Sequence, residues 1–284
     1  MKVVERIIEI FKIIAQPHDR RYIQLGDSEK VQAITSFLST LGMKHIVSER
    51  HGILVGNPFR AETIIMSHMD TISKFNNIFR GEKKLKEKDY LVVGPLDNTI
   101  TNAILLYLIE KDPGMFKNTM VVFTIGEEPS FECGFYEQCG AHNLFEDFKS
   151  HITHDTRVIN LDVTANGYHG MYDSSHGSIS VAKEFVADDH TSFLEYMQIS
   201  SKFMEATLRL AGRDVQLVHY DHGTCDDLMS VPDYFRDKFS FCLPIENCYH
   251  SVIHSPNTFT TKRKLSGYTN HLELLIRKGE KDEV

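Results

Sequence analysis

The sequence predicts an α/β fold with a mostly parallel central sheet flanked by helices on both faces. Short, largely apolar runs at 63–66, 119–125, 157–161 and 239–243 read as buried strands. Segments with apolar residues at helical spacing alternate with them, the order expected of strand–helix–strand units. Internal repeats, low-complexity tracts and an evident linker are all absent, so the 284 residues read as a single domain, 1–284.

Residues 1–15 are apolar at 3, 4, 7, 8, 11 and 14, with Glu5, Arg6, Glu9 and Lys12 between, which predicts an amphipathic helix. Charges interrupt it too often for a signal peptide, and no stretch approaches the roughly 20 apolar residues of a transmembrane helix. Asp27 or Ser28 can cap a second helix whose Val31, Ile34, Phe37, Leu38 and Leu41 share a face, and Gly42 ends it. Residues 45–48 and 53–55 flank Glu49-Arg50-His51-Gly52 as a hairpin. The strand at 63–66 empties into Ser67-His68-Met69-Asp70-Thr71, and the Lys-rich segment 73–90 reads as a loop or small hairpin. Pro95-Leu96-Asp97-Asn98-Thr99 opens an apolar helix over 100–111, and 119–125 is a buried strand. The segment 129–157 reads as loop plus a short helix, and the strand at 157–161 ends on Asp162. Further strands are expected at 179–185, 215–218 and 239–243, a long amphipathic helix over 191–212, and a last helix over 261–278.

A net charge of −8 gives no general attraction to nucleic acid or to an anionic membrane, and neither partner is expected. The five cysteines are odd in number and form no CxxC, which suits reduced thiols and a cytoplasmic location.

Chemistry concentrates where strands end. Val121-Val122-Phe123-Thr124-Ile125 runs into Gly126-Glu127-Glu128, and a buried strand has no structural use for two acids at its exit. His68 and Asp162 follow other strands, Asp97 precedes a helix, and His254 lies shortly before the last helix. Singly, each has a structural explanation, such as a helix cap for Asp97. Together they supply two imidazoles, three carboxylates suited to metal and one spare acid. Asp97, Glu128 and Asp162 in one place would repel without cations, and two divalent ions would offset them. Mixed nitrogen and oxygen donors suit zinc first, with manganese or cobalt as alternatives, and the acid left over suits a general base.

The chain resembles the co-catalytic zinc exopeptidases, that is, the leucyl-, glutamyl- and deblocking aminopeptidases with their aminoacylase and dipeptidase relatives. Ser67-His68-Met69-Asp70-Thr71, Gly94-Pro95-Leu96-Asp97-Asn98, Gly126-Glu127-Glu128, Asn160-Leu161-Asp162 and Ile253-His254-Ser255-Pro256 carry the resemblance, in that family's order. It implies a fold of the zinc-aminopeptidase (phosphorylase/hydrolase-like) type. It implies that His68 and Asp162 hold one metal, Glu128 and His254 the other, and that Asp97 bridges them. Glu127 would be the base, Asp70 would orient His68, and Thr224 and Asp226 of Gly223-Thr224-Cys225-Asp226 would lie near substrate. His250 is the rival to His254. Two departures stand out: Asn98-Thr99-Ile100-Thr101-Asn102 lacks the family's Gly-containing segment, and Pro129 follows the acid pair where Gly is common. The intervals between these residues leave room only for a small extra subdomain within 163–214. The implied activity is that of an aminopeptidase hydrolysing N-terminal peptide bonds by a metal-activated water. An amidohydrolase acting on N-acyl amino acids or dipeptides and a non-catalytic binding homologue are the alternatives. The oligomeric state stays open.

Overall fold

The structure is a computed structural model that describes residues 2–16, 24–70, 81–84, 90–94, 96–127, 140–165, 172–173, 178–179, 190–200, 214–219, 227–247 and 258–279. Helices α1 (Val3–Ile14) and α2 (Glu29–Thr40) precede the hairpin of β1 (His45–Ser48) and β2 (Gly52–Val55). Strands β3 (Thr63–His68), β4 (Gly81–Lys84) and β5 (Tyr90–Val93) lead to α3 (Thr99–Lys111), β6 (Thr119–Thr124) and α4 (Gly140–Phe148). Strand β7 (Arg157–Ala165) is followed by a two-stranded ribbon of β8 (Tyr172–Asp173) and β9 (Ser178–Ile179). Then come β10 (Ser192–Gln198), β11 (Val215–His219), β12 (Asp237–Asn247), β13 (Thr258–Thr261) and α5 (Lys262–Gly279).

The centre of the sheet is parallel, in the order β6-β3-β7-β12. The whole sheet is mixed, which corrects the mostly parallel expectation. On one side β2 lies antiparallel to β6 and β1 antiparallel to β2, because a tight turn joins β1 to β2 and only an antiparallel pair can close that way. On the other side β10 lies antiparallel to β12 and carries β11 parallel to itself. The last residues of β12, Glu246 and Asn247, turn away to pair with β13, which continues antiparallel into β5 and β4.

Side chains alternate across the pleat, so each central strand feeds two cores. Ile65, Val121, Phe123, Ile159 and Leu161 meet α1, α2, α3 and α5 on one face. Ile64, Met66, Met120, Val122 and Val158 meet Ala141, Leu144 and Phe145 of α4, and Leu228, Val231 and Phe235 beyond it. Helices therefore cover both faces, as the uniformly apolar strands require. Each fully buried aliphatic side chain contributes about 1.5–3 kcal/mol. Among the described residues no helix is long and apolar enough to cross a membrane.

Two elements differ from the sequence reading. The segment 192–198 is the strand β10 and not the start of a helix over 191–212; residues 201–213 lie outside the described ones. Phe193, Leu194 and Glu195 are buried in succession, since the strand is covered on both faces, and the two-residue alternation that would mark it is lost. Asp162 lies inside β7 and not at its end. The ladder to β12 continues past it through Val163↔Leu243 to Ala165↔Ile245 and keeps the chain extended. Of the strand expected at 179–185, only Ile179 is described, in the ribbon.

Candidate functional site

Parallel register brings the functional residues together. In β3 and β6, His68 pairs with Thr124, and in β3 and β7, Met66 pairs with Asn160. Two residues further along each strand, His68 and Asp162 arrive at the same level and on the same face. From the neighbouring β6, Gly126 turns the chain with a positive φ of 82° and presents Glu127 to the imidazole. Asp97 reaches it from the residue before the N-cap of α3, Asn98. The Asp97–Asn98 peptide bond is cis.

The His68 Nε2 atom stands 3.2 Å from Asp97 Oδ1, 3.7 Å from Glu127 Oε2 and 3.8 Å from Asp162 Oδ1. The His68 side chain is 3% exposed, against 11% for Glu127 and 13% for Asp162, so the imidazole is the floor and these two acids the rim. Burial by itself lowers the imidazole pKa, but Glu127 foremost, then Asp162 and Asp97, raise it well above the ordinary 6.5. A proton on Nε2 thus does what a cation would do: it offsets acids that otherwise repel. The donor set fits a divalent metal. His68, Glu127 and Asp162 each offer a ligand atom, all within 4.8 Å of one another, and one nitrogen with carboxylate oxygens suits zinc, manganese or cobalt.

The place of Asp70 differs from the expected contact of its carboxylate with His68. The Asp70 backbone carbonyl lies 3.1 Å from His68 Nδ1, whereas the nearer carboxylate oxygen is 3.9 Å away. That oxygen accepts instead from the Gly126 amide at 3.0 Å and, more weakly, from the Glu127 amide at 3.4 Å. The physical reason is that β3 and β6 are neighbours, so the turn after β6 offers two N–H groups just where Asp70 leaves β3. Asp70 therefore fixes the imidazole through its main chain and the Glu127 turn through its side chain. Asp70→Ala is expected to lower kcat about 10–100-fold, the usual range for groups that orient metal-site residues, while Asp70→Asn keeps an acceptor and costs less. Steady-state kinetics on both variants, with metal content measured alongside, checks this; equal losses would remove the carboxylate–amide contact as the cause.

The first turn of α3 stitches the site together with uncharged groups. The Asn102 amide donates to the His68 carbonyl at 2.8 Å, and the Asn98 amide to the Leu161 carbonyl at 2.6 Å. Thr101 meets the Ser67 hydroxyl at 3.0 Å and the Asn98 carbonyl at 2.7 Å. These are the residues that stand where the exopeptidases the sequence resembles carry a Gly-containing segment. A cluster of Asn and Thr opening an otherwise apolar helix was the available signal for them. On the other face Gly140 starts α4 against the carrier of Glu127, its amide 2.6 Å from the Ile125 carbonyl. A Cβ there would lie 2.6 Å from His51 O and 2.9 Å from Ile125 N, so only glycine allows this approach.

The site residues Glu128, His254, Thr224 and Asp226, and the rival His250, lie outside the described residues. Their neighbour Asp227 is described: it is 1% exposed and accepts from the Thr124 hydroxyl at the end of β6. Nothing in the Asp226-Asp227 doublet distinguishes the two positions by sequence.

No protein-family model matches the chain, and no curated protein matches it. Solved structures do. An aminopeptidase from the archaeon Desulfurococcus kamchatkensis aligns with a TM-score of 0.61 and 12% identity, over 97% of this chain and 95% of that one. A TET aminopeptidase from a marine-sediment thaumarchaeon aligns at 0.61 and 11% identity, over 97% of each chain. A protein described as an endoglucanase, from Thermotoga maritima, aligns at 0.56 and 12% identity, over 95% of this chain and 97% of that one. At these identities the likeness establishes a shared fold.

Proposed function

We propose that the chain is a metal-dependent exopeptidase that removes N-terminal residues from peptides. The observation that carries this reading is the His68 Nε2 atom set within 4 Å of Asp97, Glu127 and Asp162. The aminopeptidases that share the fold support it. His68, Asp97 and Asp162, with Glu128 and His254, would hold two divalent ions, zinc first, with Asp97 between them. Bound there, the ions would supply Lewis-acid polarisation of a water and of a scissile carbonyl. The protein's own part is proton transfer and positioning. Glu127, on the rim, takes the proton of the attacking water and returns it to the leaving amine. The Asp70 carbonyl accepts a hydrogen bond from the Nδ1–H of His68, which leaves Nε2 directed at the acids.

The substrate is read as a peptide with a free N-terminal amine; an N-acyl amino acid or a dipeptide is the second reading, since the same ligand set serves both. Chromogenic aminoacyl anilides, N-acyl amino acids and a soluble β-glucan, each assayed with zinc, manganese or cobalt, separate the classes. Turnover of the free-amine substrates, lost on chelation and regained on reloading, is the expected result. Turnover confined to N-acyl substrates or to the glucan would overturn it.

A further inference from the structure

Lys30, on α2, is 0% exposed. Lysine is almost never buried completely, because withdrawing an ammonium from water costs several kcal/mol unless its donors are met. Its Nζ donates to the Met69 carbonyl at 2.7 Å and to the Thr99 hydroxyl at 2.8 Å. Met69 joins His68 to Asp70, and Thr99 follows Asp97 by two residues. One ammonium therefore spans the two segments that deliver the imidazole and its nearest acid. It does so beside the N-terminus of α3, where the helix dipole disfavours a cation, so support of that helix does not account for its place.

We propose that Lys30 is a positioning residue: by tying the exit of β3 to the start of α3 it holds His68 against Asp97 in the geometry that receives a divalent cation. This inference rests on the metal-centre reading above. Two effects of removing the ammonium have opposite signs, and that makes the role testable. Loss of a nearby positive charge, taken alone, tightens cation binding in an acid-rich pocket. Loss of the tie weakens it, because the ligands are no longer held at the spacing the ion needs. A purely structural lysine would change thermal stability and leave metal affinity where it was.

The experiment titrates chelator-stripped full-length wild type, Lys30→Met and Thr99→Val with zinc by calorimetry, and records the Tm of each metal-free protein. Lys30→Met is expected to bind zinc about 10–100-fold more weakly, the usual cost of losing a supporting partner of metal ligands. Thr99→Val keeps the charge and removes one acceptor, and is expected to weaken binding in the same direction by a smaller factor. Zinc binding by Lys30→Met as tight as wild type, or tighter, overturns the proposal. Should Lys30→Met not fold, Thr99→Val decides, and unchanged affinity there overturns it equally. A wild type that takes up no zinc, manganese or cobalt would instead sink the metal-centre reading itself.

Discussion

Glu127→Gln is expected to keep the fold and the bound metal while kcat falls by about 10²–10⁴, the contribution usual for general acid–base catalysis. Glutamine preserves the shape of the side chain and its place beside His68, 3.7 Å from Nε2 in the native chain, but it cannot accept the proton of water. The turn that carries it is set by the Gly126 amide on Asp70 and by Gly140 against Ile125, neither of which the substitution touches. Glu127 also lies within ligand reach of Asp162 and His68, so metal content is the measurement that separates its two conceivable roles. Retained metal with lost turnover identifies a base. Lost metal identifies a ligand, and full activity would remove Glu127 from the chemistry.

Asp97→Ala is expected to abolish turnover, because it removes the acid nearest to Nε2 and the carboxylate that, on the proposed reading, would lie between two ions. Metal analysis of protein prepared without chelator should fall from about two equivalents by at least one. A second readout follows from mass action. A ligand that binds only the folded state at 100 times its Kd adds about 2.7 kcal/mol of stability, so the rise in Tm on adding zinc should shrink sharply in the variant. Full metal content in Asp97→Ala would exclude Asp97 as a bridge.

The central strands were legible because burial on both faces forces their composition: β3, β6 and β7 carry aliphatic or aromatic side chains at most of their inner positions. His68 and Glu127 were legible because ionisable groups at the end of such runs have no packing role, whereas Asp97, before α3, and Asp162, inside β7, were legible from their place in the order of motifs. The same burial concealed β10, whose Phe193, Leu194 and Glu195 are covered alike and show no alternation. The extension of β7 past Asp162 depends on its neighbour β12, a long-range pairing that local pattern does not carry. The contacts of Asp70 were hidden for another reason. His68 is oriented by a carbonyl, a group common to every residue, and the carboxylate is claimed by amides of the turn that follows another strand, β6. Lys30 lies far from the motifs in sequence, and a lysine on a helix ordinarily faces water.

The parallel register has a consequence for how such a chain can change by descent. His68 meets the acids only because β3 keeps phase with β6 and β7, His68 opposite Thr124 and Met66 opposite Asn160. Deleting or inserting one codon within β3 would turn every later side chain of that strand to the opposite face and carry His68 towards α3. A substitution, however drastic, leaves the phase intact. Heritable change in length is therefore confined to the segments between strands, whereas the letters inside the strands are free to drift wherever an apolar side chain still fits. The fold shared at 11% identity across 97% of both chains shows how far the letters can differ while the architecture stands.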